Sequence, residues 1–164
     1  MNAKRILYLG MLCLMAIMTS CSNDDEPKNP LDMSPVPVIF QILTVDEAGN
    51  NLLTGENIAS AKENITIEYN GDTYKIDASN SPAKTFKSSK LENGSYLLYF
   101  GTFFGNYNAE TFVINYGNGN SHIVSFTVKN YADVTKTEYL LELNGVPQPN
   151  IGGPSFILRL NPNK

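Results

Sequence analysis

Few side chains in this sequence could perform acid–base or nucleophilic chemistry. His122 is the only histidine, and no Gly-x-Ser-x-Gly motif occurs anywhere in the chain. A hydrolytic triad needs a base beside a nucleophile and an orienting carboxylate, so we expect none. His122 follows a Gly-Asn turn at the start of a predicted strand, which predicts an exposed structural histidine. With one histidine and no cysteine after residue 21, a zinc site is not expected either.

Glutamates in predicted strands are the second set of candidates, because paired carboxylates can hydrolyse glycosidic bonds. Glu138 and Glu142 would share one face of a strand. Catalysis would also require one carboxyl group whose pKa is raised by burial. The simpler prediction is that these side chains are solvated charges on an outer face: Glu68, Glu110, Glu138 and Glu142. We therefore predict no catalytic residue and no enzyme, with a hydrolase as the catalytic alternative.

Two oxygen-rich segments, 46–51 and 117–121, are candidate calcium loops. Each contains glycine and several Asp, Asn or Ser side chains. Neither has the alternate-position spacing of a calcium-binding loop or its distal bidentate Glu. Both segments are predicted to be turns, and we expect no metal and no cofactor.

Aromatic residues concentrate between positions 96 and 116, and flat aromatic faces suit carbohydrate ligands. Two readings are open, a binding patch or part of the core. Under the binding reading, the possible surface consists of Tyr99, Phe103 and Tyr107.

Strand alternation divides these rings between two faces. Tyr99 and Phe103 fall on one face, and Phe100 and Phe104 fall on the other. Because Gly101 removes a side chain from the first face, we expect Phe100 and Phe104 to point into the core. Tyr99 and Phe103 are then the more exposed pair.

The N-terminus has the layout of a secretory signal. Lys4 and Arg5 precede an uncharged, mostly apolar run of 13 residues, Ile6 to Met18. A membrane-spanning helix needs about 20 such residues, so this run is short for a span. The alternatives are a plain secretory peptide with an incidental cysteine or an uncleaved anchor helix.

The segment Thr19-Ser20-Cys21 resembles a lipobox, with Met18 where that family usually has Leu. The resemblance implies removal of residues 1–20 and attachment of palmitate-type acyl chains to Cys21. Two or three chains hold a protein firmly to membrane lipid. The acidic run 24–26 resembles the surface-export tether of outer-membrane lipoproteins, and a solvated linker is the alternative. We therefore expect a lipid-anchored, surface-exposed outer-membrane protein.

Charge excludes some partners. Residues 1–20 contain two of the 12 basic residues and none of the 16 acidic ones, so the processed chain has a net charge of −6. This balance argues against nucleic acid and against basic attachment to anionic lipid. After processing, the only cysteine is Cys21, so packing alone must stabilise the folded domain.

The remaining sequence predicts a tether over 21–37 and one domain over 38–162. Four Asn-Gly pairs punctuate the domain, and Asn-Gly favours type I′ hairpin turns. The clearest hairpin joins Ile65–Tyr69 to Asp72–Ile76. Eight short strands are predicted, with a central strand over Val38–Val45 and a possible helical turn near 58–63. The pattern favours an all-β, antiparallel sandwich of about seven to eight strands, immunoglobulin- or transthyretin-like.

The segments Val38–Leu53 and Ile67–Tyr74 resemble small lipoproteins with a transthyretin-like (prealbumin-like) sandwich. We therefore expect a non-catalytic accessory or binding module of the cell envelope, with a glycan or an envelope protein as ligand. Because such lipoproteins also build fimbriae, a pilin-like subunit is the alternative. Its exchangeable strand would be Pro154–Leu160.

Overall fold

The computed structural model describes residues 35–79, 84–149 and 153–164. The predicted signal peptide 1–20, the lipidation residue Cys21 and all but the last three residues of the tether 21–37 lie outside the described residues. Within the described part, no helix is long and apolar enough to cross a membrane.

The described chain is built from ten strands in two sheets and one short helix. The first sheet consists of β1 (Val38–Thr44), β4 (Thr85–Lys90), β5 (Tyr96–Phe103) and β10 (Ser155–Leu160). The second consists of β2 (Thr66–Tyr69), β3 (Asp72–Lys75), β6 (Tyr107–Asn115), β7 (Ser121–Lys129), β8 (Glu138–Leu143) and β9 (Val146–Pro147). The prediction of an all-β sandwich is confirmed.

The strand orders are β10-β1-β5-β4 and β3-β2-β6-β7-β8-β9. As predicted, β1 lies inside its sheet, where its buried and half-buried side chains alternate. Its pairing with β10 is parallel, whereas every other strand pair is antiparallel among the described residues. The antiparallel prediction therefore holds for the sheets as a whole but not for this edge.

Two of the four Asn-Gly pairs form the expected type I′ turns, whereas at Asn93-Gly94 and Asn118-Gly119 only the glycine has a positive φ. Asn70 and Gly71 have φ values of 51° and 82° between β2 and β3. Asn144 and Gly145, at 52° and 77°, join β8 to β9 in the same way. Positive φ at both central residues is the signature of a type I′ turn, so the predicted hairpin is confirmed and β9 is an additional strand.

Two further elements lie in connections between the predicted strands. The helix α1 (Ile58–Asn64) links β1 to β2 and confirms the predicted helical turn. The strand β4 follows the predicted hairpin in a segment, 77–90, where the sequence predicts a connection and no strand, which is a correction. Its sequence TFKSSK has one buried side chain, Phe86, so apolar alternation does not reveal it.

Phenylalanine rings from both sheets meet in the core. The Phe40 ring of β1 lies 4.8 Å from the Phe112 ring and 5.0 Å from the Phe126 ring, both in the second sheet. It also stacks 5.2 Å from Phe156 of β10. The two edge-to-face contacts join the two sheets, and the stacked contact lies within the first sheet.

A β-bulge in β5 changes the predicted orientation of the rings. Ile39 pairs with Gly101 and Val38 pairs with Phe103, so Thr102 is an extra residue with no partner on β1. The shift turns Phe103 inward to 0% exposure, beside Phe100, and leaves Phe104 60% exposed. The prediction was therefore right for Phe100 and wrong for Phe103 and Phe104.

Candidate functional site

A cleft of about 420 Å³ opens beside α1, where β1 and β6 end. One wall consists of α1 and the preceding loop. The opposite wall consists of the β6–β7 turn and Pro162, and Thr44 at the end of β1 and Tyr116 just after β6 also line the cleft.

The lining is uncharged and amphipathic. Its apolar members are Leu52, Leu53, Ala61 and Ile65, and its amide and hydroxyl members include Asn57, Ser60, Asn64 and Asn118. Among the described residues that line the cleft, none is acidic or basic. This chemistry suits hydrogen bonding to a neutral ligand better than proton transfer.

Two buried hydroxyl groups of the lining lack hydrogen bonds. Thr44 is 2% exposed and Tyr116 is 8% exposed. Neither Thr44 Oγ1 nor the Tyr116 hydroxyl has a partner among the described residues. An unpaired buried hydroxyl costs about 1–3 kcal/mol, and strained or unsatisfied groups of this kind gather at functional sites.

Burial raises the pKa of the Tyr116 phenol well above its usual value of 10.0. The phenol therefore keeps its proton at neutral pH. It can donate one hydrogen bond and accept others.

The loop before α1 is held by side-chain hydrogen bonds. Asn57 Nδ2 donates to the Leu52 carbonyl at 2.6 Å, and its Oδ1 accepts from the Thr54 N–H at 2.8 Å. On α1, Asn64 Nδ2 donates to the Ser60 carbonyl at 2.9 Å. These bonds hold the side chains of Asn57 and Asn64 against the backbone of this wall.

The two walls meet at Gly117. Its φ is +75°, and a Cβ atom there would lie 3.0 Å from Asn64 Cβ. Only glycine combines that backbone conformation with so close an approach. The sequence singled out 117–121 as a turn but gave no sign of this contact.

The C-terminal tail completes the second wall. Asn118 Nδ2 and Asn120 Nδ2 donate to the Pro162 carbonyl at 3.1 and 2.9 Å. The tail, which continues β10, is thereby attached to the β6–β7 turn of the other sheet.

His122 also holds this tail, and its predicted exposure was wrong. The side chain is 5% exposed. Asn144 Nδ2 donates to Nδ1 at 3.0 Å, so the proton lies on Nε2, which donates to the Asn161 carbonyl at 2.9 Å. Asn144 Oδ1 in turn accepts from the Ile123 N–H, which fixes the amide orientation. Both ring nitrogens are used structurally, although alternation alone predicted only a strand end.

The three residues of the predicted aromatic surface do not form one surface. Tyr99 is half-buried on the outer face of the first sheet, in a depression of about 310 Å³. Tyr107 is half-buried in a separate depression of about 420 Å³, and its hydroxyl donates to the Phe104 carbonyl at 3.1 Å. Phe103 is in the core, 5.6 Å from the Tyr107 ring. Phe103 is therefore removed from the candidate surface.

Three of the four glutamates are on the outer side of the second sheet, as predicted, whereas Glu110 pairs with the buried Phe126 and lies on the inner face. Glu68, Glu138 and Glu142 are exposed. Glu110 is half-buried, and its Oε2 accepts from the Tyr69 hydroxyl at 3.2 Å. Desolvation of Tyr69 and the nearby Glu110 charge raise the pKa of this phenol to about 12.

The two candidate calcium loops, 46–51 and 117–121, are turns. Asp46 accepts from the Asn50 N–H at 2.8 Å and from Asn50 Nδ2 at 2.9 Å, so its carboxylate caps the turn. These hydrogen bonds lower the pKa of Asp46. Within residues 35–79, 84–149 and 153–164, no group of three His, Cys, Asp or Glu side chains could hold a metal ion.

No family model matches this chain, and neither a curated protein nor a solved structure matches it significantly.

Proposed function

We propose that this chain is a non-catalytic lipoprotein, lipidated on Cys21 and held at the outer membrane, whose sandwich binds a glycan or an envelope protein. The Thr19-Ser20-Cys21 sequence and the short apolar run before it support the anchor. We also propose that the sandwich is transthyretin-like, because Val38–Leu53 and Ile67–Tyr74 resemble lipoproteins with that sandwich.

The observation that carries the binding function is the uncharged cleft with its two unpaired hydroxyl groups. Its volume lies within the range of about 300–1,000 Å³ that is usual for small-ligand sites. The Thr44 and Tyr116 hydroxyl groups have no hydrogen-bond partner among the described residues, which costs stability. A bound ligand would supply the missing partners.

The anchor is tested in cells that express the wild-type chain or Cys21→Ala and are fed an alkyne fatty acid. The wild type should incorporate the label and remain with the membrane fraction. The variant should be unlabelled and, where exported, released. Equal labelling of both proteins would contradict the anchor.

Binding is tested in the same cells by photo-crosslinking. A benzophenone amino acid replaces Ser60, which is exposed and lines the cleft. The control position is Val146, 59% exposed on β9. An adduct with a glycan or an envelope protein should form only from position 60. Identical adducts from both positions, or none from position 60, would contradict binding at the cleft.

A pilin-like subunit is the second candidate, and the position of β10 favours it. This strand lies at a sheet edge, and its inward side chains Phe156, Leu158 and Leu160 are buried. An equivalent strand from another copy could replace it without rearranging the other pairings.

Strand exchange is tested by placing cysteines at Gln41 and Ile157, which are paired in the β1–β10 register. If subunits exchange β10, these two positions belong to neighbouring subunits, so oxidation should link the subunits into covalent ladders in denaturing gels, and reduction should remove the ladders. Monomeric wild-type protein in cell envelopes would contradict this candidate.

A further inference from the structure

We infer that the cleft beside α1 binds one neutral sugar residue, which takes hydrogen bonds from the Thr44 and Tyr116 hydroxyls. This inference rests on the proposed binding function and names its site and its class of ligand.

Neutrality follows from the lining. A charged ligand loses hydration on entering a cleft and needs an opposite charge to replace it. The described lining residues supply only hydroxyl, amide and backbone groups. A sugar acid or an amino sugar would therefore bind less well than its neutral counterpart.

The distribution of polar and apolar groups indicates a sugar rather than an apolar molecule. Ser60 and Asn64 lie one turn apart on α1 and share a face of the helix. The buried residues Leu53, Ala61 and Ile65 provide apolar surface in the same cleft. A sugar ring has hydroxyl groups at its edge and C–H groups on its faces, and it can satisfy both kinds of wall.

The unpaired hydroxyl groups add a further requirement. Thr44 Oγ1 and the Tyr116 hydroxyl each donate one hydrogen bond and accept others. A sugar hydroxyl has the same two capacities and can pair with either group. Both oxygens have almost no solvent-accessible surface, so the ligand reaches them by displacing a lining side chain.

The test uses the lipidated full chain in a detergent without sugar groups. The probes are glucose, galactose, mannose and N-acetylglucosamine, with glucuronate and glucosamine as charged counterparts. Dissociation constants are measured by saturation-transfer NMR titration. We expect at least one neutral sugar to bind more tightly than the charged probes.

Variants then locate the binding site. Thr44→Val and Tyr116→Phe each remove one hydroxyl and should weaken binding about threefold to tenfold, which corresponds to one hydrogen bond. Ser60→Trp fills the cleft and should abolish binding. Because Ser60 is exposed, Ser60→Trp still tests the binding site if Thr44→Val or Tyr116→Phe affects folding.

Matched controls lie outside the cleft. Ala59→Trp places the same ring on the neighbouring exposed helix residue, and Tyr107→Phe removes a hydroxyl that bonds to Phe104. Both should bind sugar like the wild type, and all variants should keep a cooperative thermal transition.

Three results would overturn the inference. Sugar binding that survives Ser60→Trp would place the glycan elsewhere and leave the binding function standing. Tighter binding of glucuronate or glucosamine would contradict neutrality. Absence of binding to any probe would remove the sugar, while a protein adduct from position 60 in cells would still support the proposed function.

Discussion

At the scale of single residues, Tyr116 tests whether stability has been given up for binding. Tyr116→Phe removes a buried hydroxyl that lacks a partner, so the free energy of unfolding should rise by about 1–3 kcal/mol. The control is Tyr69→Phe, which loses the hydrogen bond to Glu110 and should cost about 1 kcal/mol. Denaturant unfolding measures both changes. Equal losses in the two variants would mean that the Tyr116 hydroxyl is already paired.

The adjacent rings Phe103 and Phe104 form a second residue-scale test. Phe103 is fully buried and Phe104 is 60% exposed. Phe103→Ala should therefore destabilise the protein by about 3–5 kcal/mol, whereas Phe104→Ala should change stability by about 0.5 kcal/mol or less. Reversed costs in denaturant unfolding would restore simple alternation and contradict the bulge.

Sequence reasoning reached some of these residues and missed others for a physical reason. It placed Phe100 in the core because strand alternation is local. It did not find Thr44 or Tyr116, since an unpaired hydroxyl is defined by neighbours distant in sequence. Tyr116 was only the last member of an aromatic run.

At the scale of elements, the bulge in β5 is the feature that reorients the aromatic strand. The Thr85 hydroxyl and Lys84 Nζ donate to the carbonyls of Gly101 and Thr102, each at 3.0 Å. Lys84 Nζ also lies 4.5 Å from the centre of the Phe103 ring. The segment that leads into β4 therefore stabilises the extra residue of β5.

Glycine substitutions test this geometry. Gly101 and Gly105 both have positive φ, at 131° and 111°. A Cβ atom at Gly101 would lie 2.9 Å from Phe103 Cδ2, whereas nothing lies within 4 Å at Gly105. Gly101→Ala should therefore lower the melting temperature more than Gly105→Ala, because only the former adds a clash to backbone strain. Equal decreases would contradict the packing at the bulge.

A second element-scale contact joins α1 to the β3–β4 edge through Asp77. Its carboxylate lies 2.7 Å from Lys62 Nζ and accepts from the Ser88 N–H at 2.9 Å and from the Ser88 hydroxyl at 2.6 Å. Desolvation raises the pKa of Asp77, but these interactions outweigh it and lower the pKa below 3.8.

The lowered pKa fixes the sign of the pH dependence. The contact contributes stability above the unfolded-state pKa, and this contribution is lost as the pH falls through the folded-state pKa. Asp77→Asn should therefore be less stable than wild type near pH 7, and the difference should shrink towards about pH 2. Glu92→Gln, at an exposed turn residue, is the control. A difference that is constant with pH in thermal unfolding would contradict the ionic contribution.

Regular elements were predictable to different degrees. The hairpin of β2 and β3 has both apolar alternation and an Asn-Gly turn, so local signals define it. The strand β4 has neither signal. It is a strand because it pairs with β5, a contact that its own sequence does not indicate. The parallel β1–β10 pair joins segments that are distant in sequence. No turn connects the two strands directly, so no turn residues indicate the pairing.

At the scale of the whole molecule, the sandwich and the cleft have different origins in the sequence. The core is built from alternating apolar positions of both sheets, so its fold class was evident. The cleft arises where α1, the β6–β7 turn and the C-terminal tail meet. Its position depends on tertiary contacts such as those of Pro162 with Asn118 and Asn120, and strand periodicity does not encode these.

The most direct test of the account is a ring-carbon NMR titration of the lipidated full chain. The protein carries ¹³Cζ-tyrosine and is titrated with the four neutral sugars, and the Tyr116 resonance is assigned by its absence in Tyr116→Phe. We predict that the Tyr116 resonance shifts with sugar concentration, because its hydroxyl gains a hydrogen-bond partner. The resonances of Tyr99 and Tyr107 should remain in place. Shifts confined to Tyr99 or Tyr107, or no shift at Tyr116, would contradict the assignment of the cleft as the binding site.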